Sequence, residues 1–518
     1  MTHRCTVRDD VNEADQNALF TELNLALQSE DYAKAARIRD ALRRSSREGE
    51  DPALLDWHSY DIPEWLCQRA EQLGWRYPTE VQRRAAAVLR TGADAIVQAG
   101  TGSGKTLAYL LPLLARLTYP PETYPDDLQG PQLVIIVPTR ELGVQTIMLV
   151  YKLFGGSVTQ GVPGDPSNMF AYSGPRGLKV RGVLDGAEVA AARGGGWLRG
   201  DHVVVGTPEC LGAAAAPPGG FPVWAGARAV AVDEADACLQ AHPAEMASLL
   251  TAACQAAAGP AASSSPDETP VIGKHADGPC KPQLVLLGAT MPPEAALEEA
   301  VHEGWLRDPV SLAVGAPGRP PAGLRHRLMV VGGNPLAALA RQLRADLTDA
   351  GEDAAPARVI VFTDSEAAAR EAAGPLRAAL WADHTLSVLL PGGEEPIQAL
   401  HAFRDARASF LLATPAAARG LDLPAVSHVY SLGPPATPAD YLHRAGRAGR
   451  IGAPRPGTVT TLAAPDQADA VRQMAAGLGL QLAELAEPRA PDLAQGDGGE
   501  PADVDAAKRG LEDLFNLF

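Results

Sequence analysis

Apolar residues fall along this chain in short unbroken runs, each closed by polar or glycine-bearing residues. Ala95-Ile96-Val97, Leu133 to Val137, Val203-Val204-Val205, Ala229 to Val232 and Leu284 to Leu287 are such runs. They are too short for helices and too uniformly apolar for half-exposed strands, so they predict strands buried on both faces. They end at Gln98-Ala99-Gly100, Pro138-Thr139-Arg140, Gly206-Thr207-Pro208, Asp233-Glu234-Ala235-Asp236 and Gly288-Ala289-Thr290. Helical periodicity, as in Leu107 to Leu117, alternates with the runs. Strand–helix alternation with polar chemistry only at strand ends predicts an α/β fold with a parallel sheet, its ligands bound at the carboxyl edge.

A second set of strands follows at Val359 to Phe362, Phe410 to Ala413, Val426 to Leu432 and Gly457 to Leu462, separated by Ala-rich helical stretches. Between the sets lies a Gly/Pro-rich segment, Gly315 to Pro321, which reads as a linker. The expected organisation is a helical segment over 1–50, a first lobe over 51–315, a linker over 316–324, a second lobe over 325–486 and an acidic tail over 487–518. Regions 155–196 and 257–282 are Gly-, Pro- or Ser-rich and read as insertions in the first lobe. Within the tail, Leu511, Leu514, Phe515 and Phe518 share one helical face, as expected of a short protein-docking anchor.

A length of 518 residues exceeds what one core supports, in keeping with two lobes. No apolar run approaches the length of a membrane span, so no membrane partner is expected. The six cysteines are scattered without ligand spacing and are expected to be reduced thiols. The net charge of −17 changes the picture most. Proteins that hold nucleic acid by broad electrostatics are basic, so any phosphate contact here has to be local and built largely from backbone N–H groups.

The chemistry centres on Ala99-Gly100-Thr101-Gly102-Ser103-Gly104-Lys105-Thr106, between a strand and a helix. Glycines allow backbone N–H groups to converge on phosphate oxygens at a helix N-terminus. Lys105 is expected to reach the β- and γ-phosphates of ATP, and the Thr106 hydroxyl to ligate Mg²⁺. Ala99 stands where many such loops carry their first glycine. Asp233 is expected to hold Mg²⁺, partly through water, and Glu234 to orient the attacking water. Upstream, the Gln82 amide matches the N6/N7 edge of adenine, with Trp57 as a stacking aromatic. In the second lobe, His443-Arg444-Ala445-Gly446-Arg447-Ala448-Gly449-Arg450 offers cations of the kind that stabilise a γ-phosphoryl transition state. The alternative is a solvated basic helix face, but permanently charged, bidentate guanidiniums suit charge stabilisation better.

Together, and in this order, the motifs resemble those of the DEAD-box RNA helicase family of superfamily 2, from about Trp57 to Leu485. The resemblance implies two tandem RecA-like lobes, ATP and Mg²⁺ between them, and single-stranded or short duplex RNA bound through its backbone without regard to sequence. By matching position it implies RNA contacts at Arg140, Thr207 and Thr414, a ribose contact at Asp422, arginine fingers at Arg447 and Arg450, and interlobe coupling through Asp236, Thr290 and His443. Four residues depart from the family pattern: Gly288 for a serine, Glu209 and Cys210 for Gly-Arg, and Pro415 for an aspartate. All fall on the RNA and coupling side. The implied function is thus an ATP-dependent RNA helicase or RNA chaperone, with a nucleotide-dependent clamp or scaffold as the alternative. Residues 17–44 resemble the UVR motif, a helical hairpin that docks proteins. That points to a protein partner at this segment and to a chloroplast, with a cytoplasmic or nuclear location as the alternative.

Overall fold

The computed structural model describes residues 56–117, 131–155, 172–173, 178–193, 201–216, 224, 226–256, 281–315, 318–321, 323–348, 358–380, 384–390, 396–421, 423, 426–448 and 457–488. The UVR-like segment 17–44, most of the 257–282 region, the 511–518 anchor, Asp422 and Arg450 lie outside the described residues.

The first sheet comprises β1 (Ala95–Ala99), β2 (Leu133–Ile136), β3 (Tyr172–Ser173), β4 (Lys179–Val183), β5 (Val203–Gly206), β6 (Ala229–Val232), β7 (Gln283–Gly288) and β8 (Val310–Val314). Its order is β3-β4-β5-β2-β6-β7-β1-β8, parallel except for the β3–β4 pair. The second comprises β9 (Arg325–Val330), β10 (Val359–Thr363), β11 (Leu386–Leu389), β12 (Phe410–Ala413), β13 (His428–Leu432), β14 (Thr458–Ala463) and β15 (Leu482–Leu485). Its order is β11-β12-β10-β13-β14-β9-β15, and it is wholly parallel. The architecture is thus two RecA-like α/β lobes in tandem. Central strands β2, β5, β6 and β7 are buried at every position, as double-sided helix cover requires.

Two expectations are corrected. The 155–196 region is not insertion throughout, because it contains β4 and the Gly186–Arg193 helix. β4 reads Lys-Val-Arg-Gly-Val and is buried at only some positions near the sheet edge, so it lacks the apolar run that marks a central strand. The strand expected from Val426 begins at His428, since Val426 forms only an isolated bridge to Ala448.

The lobes meet along a close seam. One apolar cluster runs from first-lobe residues such as Leu142 and Ile147 into second-lobe residues such as Ala417 and Leu421. Gly420, at φ +69°, lies so close to Leu142 that a β-carbon there would sit 2.5 Å from Leu142 Cδ2. The seam brings the carboxyl end of the first sheet against the Pro438–Ala445 helix of the second lobe, and the candidate site lies between them.

Candidate active site

β1 leads through Gly100 to Gly104 into the Lys105–Leu114 helix. Gly102 and Gly104 have φ of +74° and +93°, a left-handed backbone that glycine adopts without strain. Gly104 has a second constraint, since a β-carbon would run into the Gln82 amide. Lys105 is buried, its Nζ donating to Ala99 O at 3.0 Å and Gly100 O at 3.3 Å. The ammonium is thus folded over the loop that precedes it. Thr106 is half-buried beside it.

β6 delivers Asp233 and Glu234, both almost fully buried. The two Asp233 oxygens are held separately: Oδ2 accepts from Tyr109 Oη at 3.2 Å and Oδ1 from the Glu234 N–H at 3.1 Å. Burial, reinforced by the charge of Glu234, raises the Asp233 carboxyl to about 7. Burial also acts to raise Glu234, but Lys105, His443, Arg447 and Arg419 outweigh it and hold that carboxyl below its usual range. Glu234 has φ +51° and ψ +53°, a left-handed conformation that costs a side-chain-bearing residue about 1–3 kcal/mol.

Two of the three fixed cations acting on Glu234, Arg447 and Arg419, come from the second lobe. His443 Nε2 lies 3.8 Å from Glu234 Oε2, and burial lowers the His443 pKa, favouring the neutral ring. Arg447 is buried, donating to Leu421 O at 2.7 Å and His443 O at 3.3 Å. Thr101 Oγ1 of the phosphate loop donates to Gly446 O at 3.2 Å. Thr290 Oγ1 donates to Asp236 Oδ2 at 2.5 Å. Around this crevice, Ser103 Oγ, Glu234 Oε2, Asp236 Oδ1, Arg419 Nε and both His443 ring nitrogens are buried without a hydrogen-bond partner. Buried polar atoms are nearly always paired, so their convergence from both lobes marks a place for a polar ligand and its waters.

Trp57 does not fit its expected role and is corrected here. It is 1% exposed, and its indole donates to Trp75 O at 2.7 Å, so no ring face is open to a base. Gln82 Oε1 accepts from Thr79 N at 2.8 Å and Nε2 donates to Gly104 O at 3.0 Å. One end of its amide therefore closes the cap of its own helix and the other braces the phosphate loop. A cavity of about 1110 Å³ opens beside the loop, lined in part by Thr79, Gly100, Ser103, Pro320 and Arg325.

On the expected nucleic-acid face, Thr139, Thr207 and Thr414 each cap a helix, accepting from Leu142 N, Cys210 N and Ala417 N at 3.3, 3.4 and 3.3 Å. Arg140 lies beside Asp185, Nη2 to Oδ2 at 3.6 Å. Glu209 is exposed and sits 3.4 Å from His242 Nδ1.

A family model described as DEAD/DEAH box helicase matches residues 79–298, and one described as helicase conserved C-terminal domain matches residues 340–452. The chain is 30% identical over 408 residues to DEAD-box ATP-dependent RNA helicase 58, chloroplastic, of Arabidopsis thaliana, covering 75% of each. The chain belongs to the DEAD-box helicase family. It is also 26% identical to pre-mRNA-splicing ATP-dependent RNA helicase prp28 of Schizosaccharomyces pombe, over 80% of this chain and 57% of that one. The chain spans about half the length of that relative and of its counterpart in Chaetomium globosum (57% and 52%). Among solved structures, Mss116p bound to ssRNA and AMP-PNP matches 89% of this chain at a TM-score of 0.66 and 17% identity, covering 86% of that chain. S. cerevisiae Dbp5 bound to RNA and ADP BeF3 matches 88% at 0.59 and 18%, covering 99% of that chain. These two likenesses are of fold.

Set against the DEAD-box pattern, the glycine at 288 is locked in place. A β-carbon there would collide with Thr290 O and lie 3.0 Å from Met291 Cε and 3.5 Å from Asp236 Oδ1. The serine hydroxyl of the family pattern is therefore missing beside Asp236 Oδ1, an atom that has no protein partner. Sequence reasoning missed Tyr109, Arg419, Gly446 and Asp185. Arg419 stands between Thr414 and Asp422, two residues already singled out, and Tyr109 is one helical turn beyond Lys105, so spacing alone could have flagged both. Asp185 carried no such signal.

Proposed function

We propose that the chain is an ATP-dependent RNA helicase or RNA chaperone that hydrolyses ATP between its lobes while RNA lies across both. The observation that carries this reading is the convergence of Lys105, Glu234, His443, Arg447 and Arg419 on one buried crevice lined with unpartnered polar atoms. In this reading Gly100 to Gly104 and Lys105 bind the phosphates, and Glu234 takes the proton from the attacking water. Arg447, with Arg450, meets the charge that develops on the γ-phosphoryl group. Asp422 meets the ribose. Gln82, already against the phosphate loop, has to exchange its bond to Gly104 O to reach adenine.

Thr106 and Asp233 are the residues fitted to Mg²⁺. Among the described residues no cluster of three ligands exists, which suits an ion that takes one or two protein oxygens and completes its shell with phosphate and water. When bound, the ion neutralises phosphate charge; Tyr109 and the Glu234 N–H keep the Asp233 carboxylate oriented. RNA contacts at Arg140, Thr207 and Thr414 are supported by the helix N-termini they occupy. The RNA-bound state of Mss116p and of Dbp5 supports the same partner.

Glu209, Cys210, Gly288 and the Arg140–Asp185 pair favour a second reading, an ATP-gated RNA clamp with weak unwinding. The chloroplastic relative and the UVR-like hairpin support residence in a plastid, which imaging of a fluorescent fusion tests. The decisive experiment is ATP turnover with and without single-stranded RNA, with Lys105→Ala as the blank. RNA-stimulated turnover that vanishes in the variant supports the helicase-type ATPase; turnover indifferent to RNA overturns it.

A further inference from the structure

We infer that Asp185 sets the RNA affinity of the first lobe by holding the Arg140 guanidinium that an RNA phosphate would take. This rests on the RNA reading above.

Arg140 opens the Arg140–Leu153 helix and Asp185 follows β4, so the sheet brings together two residues far apart in sequence. Their side chains are 31% and 35% exposed, open to a ligand on the same face. Asp185 divides its carboxylate between two tasks. Oδ1 accepts from Glu188 N at 3.0 Å, capping the Gly186–Arg193 helix, while Oδ2 faces Arg140. The surroundings are anionic. The Gly186–Arg193 and Pro208–Ala215 helices are joined by Arg193 donating to Ala213 O at 2.6 Å, and Glu209 is exposed near the start of the second. Glu188 lies beneath, one oxygen accepting from Leu184 N at 2.6 Å and the other buried without a partner. Cys210 registers this field: burial raises its thiol pKa, and the charges of Glu209, Glu188 and Asp185 add to the rise.

A phosphate reaching Arg140 has to displace Asp185 and then remain beside it. Exposed ion pairs are weak and exchange readily, so the effect is graded: the lobe still binds RNA, but with one cation largely cancelled. Phosphate contacts carry no base information, so the attenuation is the same for every RNA sequence.

The test uses the full chain with a non-hydrolysable ATP analogue and labelled single-stranded RNA, titrated at several salt concentrations. Four proteins are compared: wild type, Asp185→Asn, Arg140→Ala and the double variant. Asparagine keeps the helix cap, since it caps as well as aspartate, and removes only the charge. The expected result for Asp185→Asn is binding about three- to tenfold tighter, with a log–log salt slope steeper by about 0.7, one phosphate contact on a single strand. Arg140→Ala is expected to cost little alone and to erase the gain in the double variant. Unchanged affinity and slope in Asp185→Asn overturn the inference, as does an Arg140→Ala cost that is equal in both backgrounds. If none of the four binds RNA while all bind labelled ADP, the RNA reading fails, and this inference fails with it.

Discussion

Gly446 is where the second lobe touches the phosphate loop, and Gly446→Ala separates the stability of the lobe from the closure of the cleft. The glycine has φ −66° and ψ −1°, an ordinary helical backbone, so in the free lobe alanine meets only a tight approach to Leu442 O and changes stability by less than about 1 kcal/mol. Across the seam the added methyl overlaps Thr101 Oγ1 and sits 3.0 Å from Thr101 Cβ, and within its own lobe it lies 3.0 Å from Leu442 O. With the Thr101 hydroxyl turned aside, restoring ordinary contact of about 3.4–4 Å to Thr101 Cβ moves the lobes apart by roughly 0.5–1 Å, and the Thr101–Gly446 hydrogen bond, worth about 1 kcal/mol, is lost. Arg447, the next residue, moves with the wedge. A misplacement of this size costs up to about a hundredfold in rate. In steady-state ATP turnover with saturating RNA, kcat is expected to fall about ten- to hundredfold, while the melting midpoint changes little. Adding Thr101→Ala removes the closest clash and is expected to recover part of the loss. A kcat unchanged in Gly446→Ala would refute the reasoning.

Gly288→Ser brings back the hydroxyl of the family pattern, but its β-carbon meets the Thr290 carbonyl. It is expected to destabilise the chain by about 1–3 kcal/mol, as overpacking does, without improving strand separation; an unchanged melting midpoint together with faster unwinding would count against this. Asp233 adds a pH dependence. Its folded pKa of about 7 is raised above the unfolded value, so the folded chain binds the extra proton. This contribution to stability is full below about 4 and is lost as pH rises to about 7, at up to about 1.4 kcal/mol per pH unit. Denaturant titrations of ligand-free protein are expected to show Asp233→Asn with a flatter dependence than wild type over that window, and parallel curves would remove the argument.

The central strands were legible because complete burial demands uninterrupted apolar residues, and β2, β5, β6 and β7 obey that demand. β4, next to the two-residue β3 at one edge, and β8, at the other edge, were not, since strands there tolerate Lys, Arg, Gly or Ser where part of the strand is not buried. The phosphate loop, the Asp233-Glu234 pair and the His443 motif were readable because their chemistry is local: strand, turn and helix position adjacent residues. Contacts such as Thr101–Gly446, Tyr109–Asp233 and Arg140–Asp185 join residues far apart in sequence, and no local pattern encodes them. Trp57 shows the limit from the other side. An aromatic upstream of a nucleotide loop suits a base or a core equally, and only tertiary packing distinguishes them; here the core took it.

The left-handed backbone at Glu234 has an evolutionary consequence. Glycine at this position would relieve the conformational strain, so selection for folding alone drifts away from the acid proposed to activate water. Persistence of Glu234 in descendants of this chain is therefore a record of continued selection for turnover. A lineage that kept only a nucleotide-gated grip on RNA would be free to lose it and would become more stable by doing so. Sequencing such lineages at this single codon would distinguish working motors from retired ones before any assay is run.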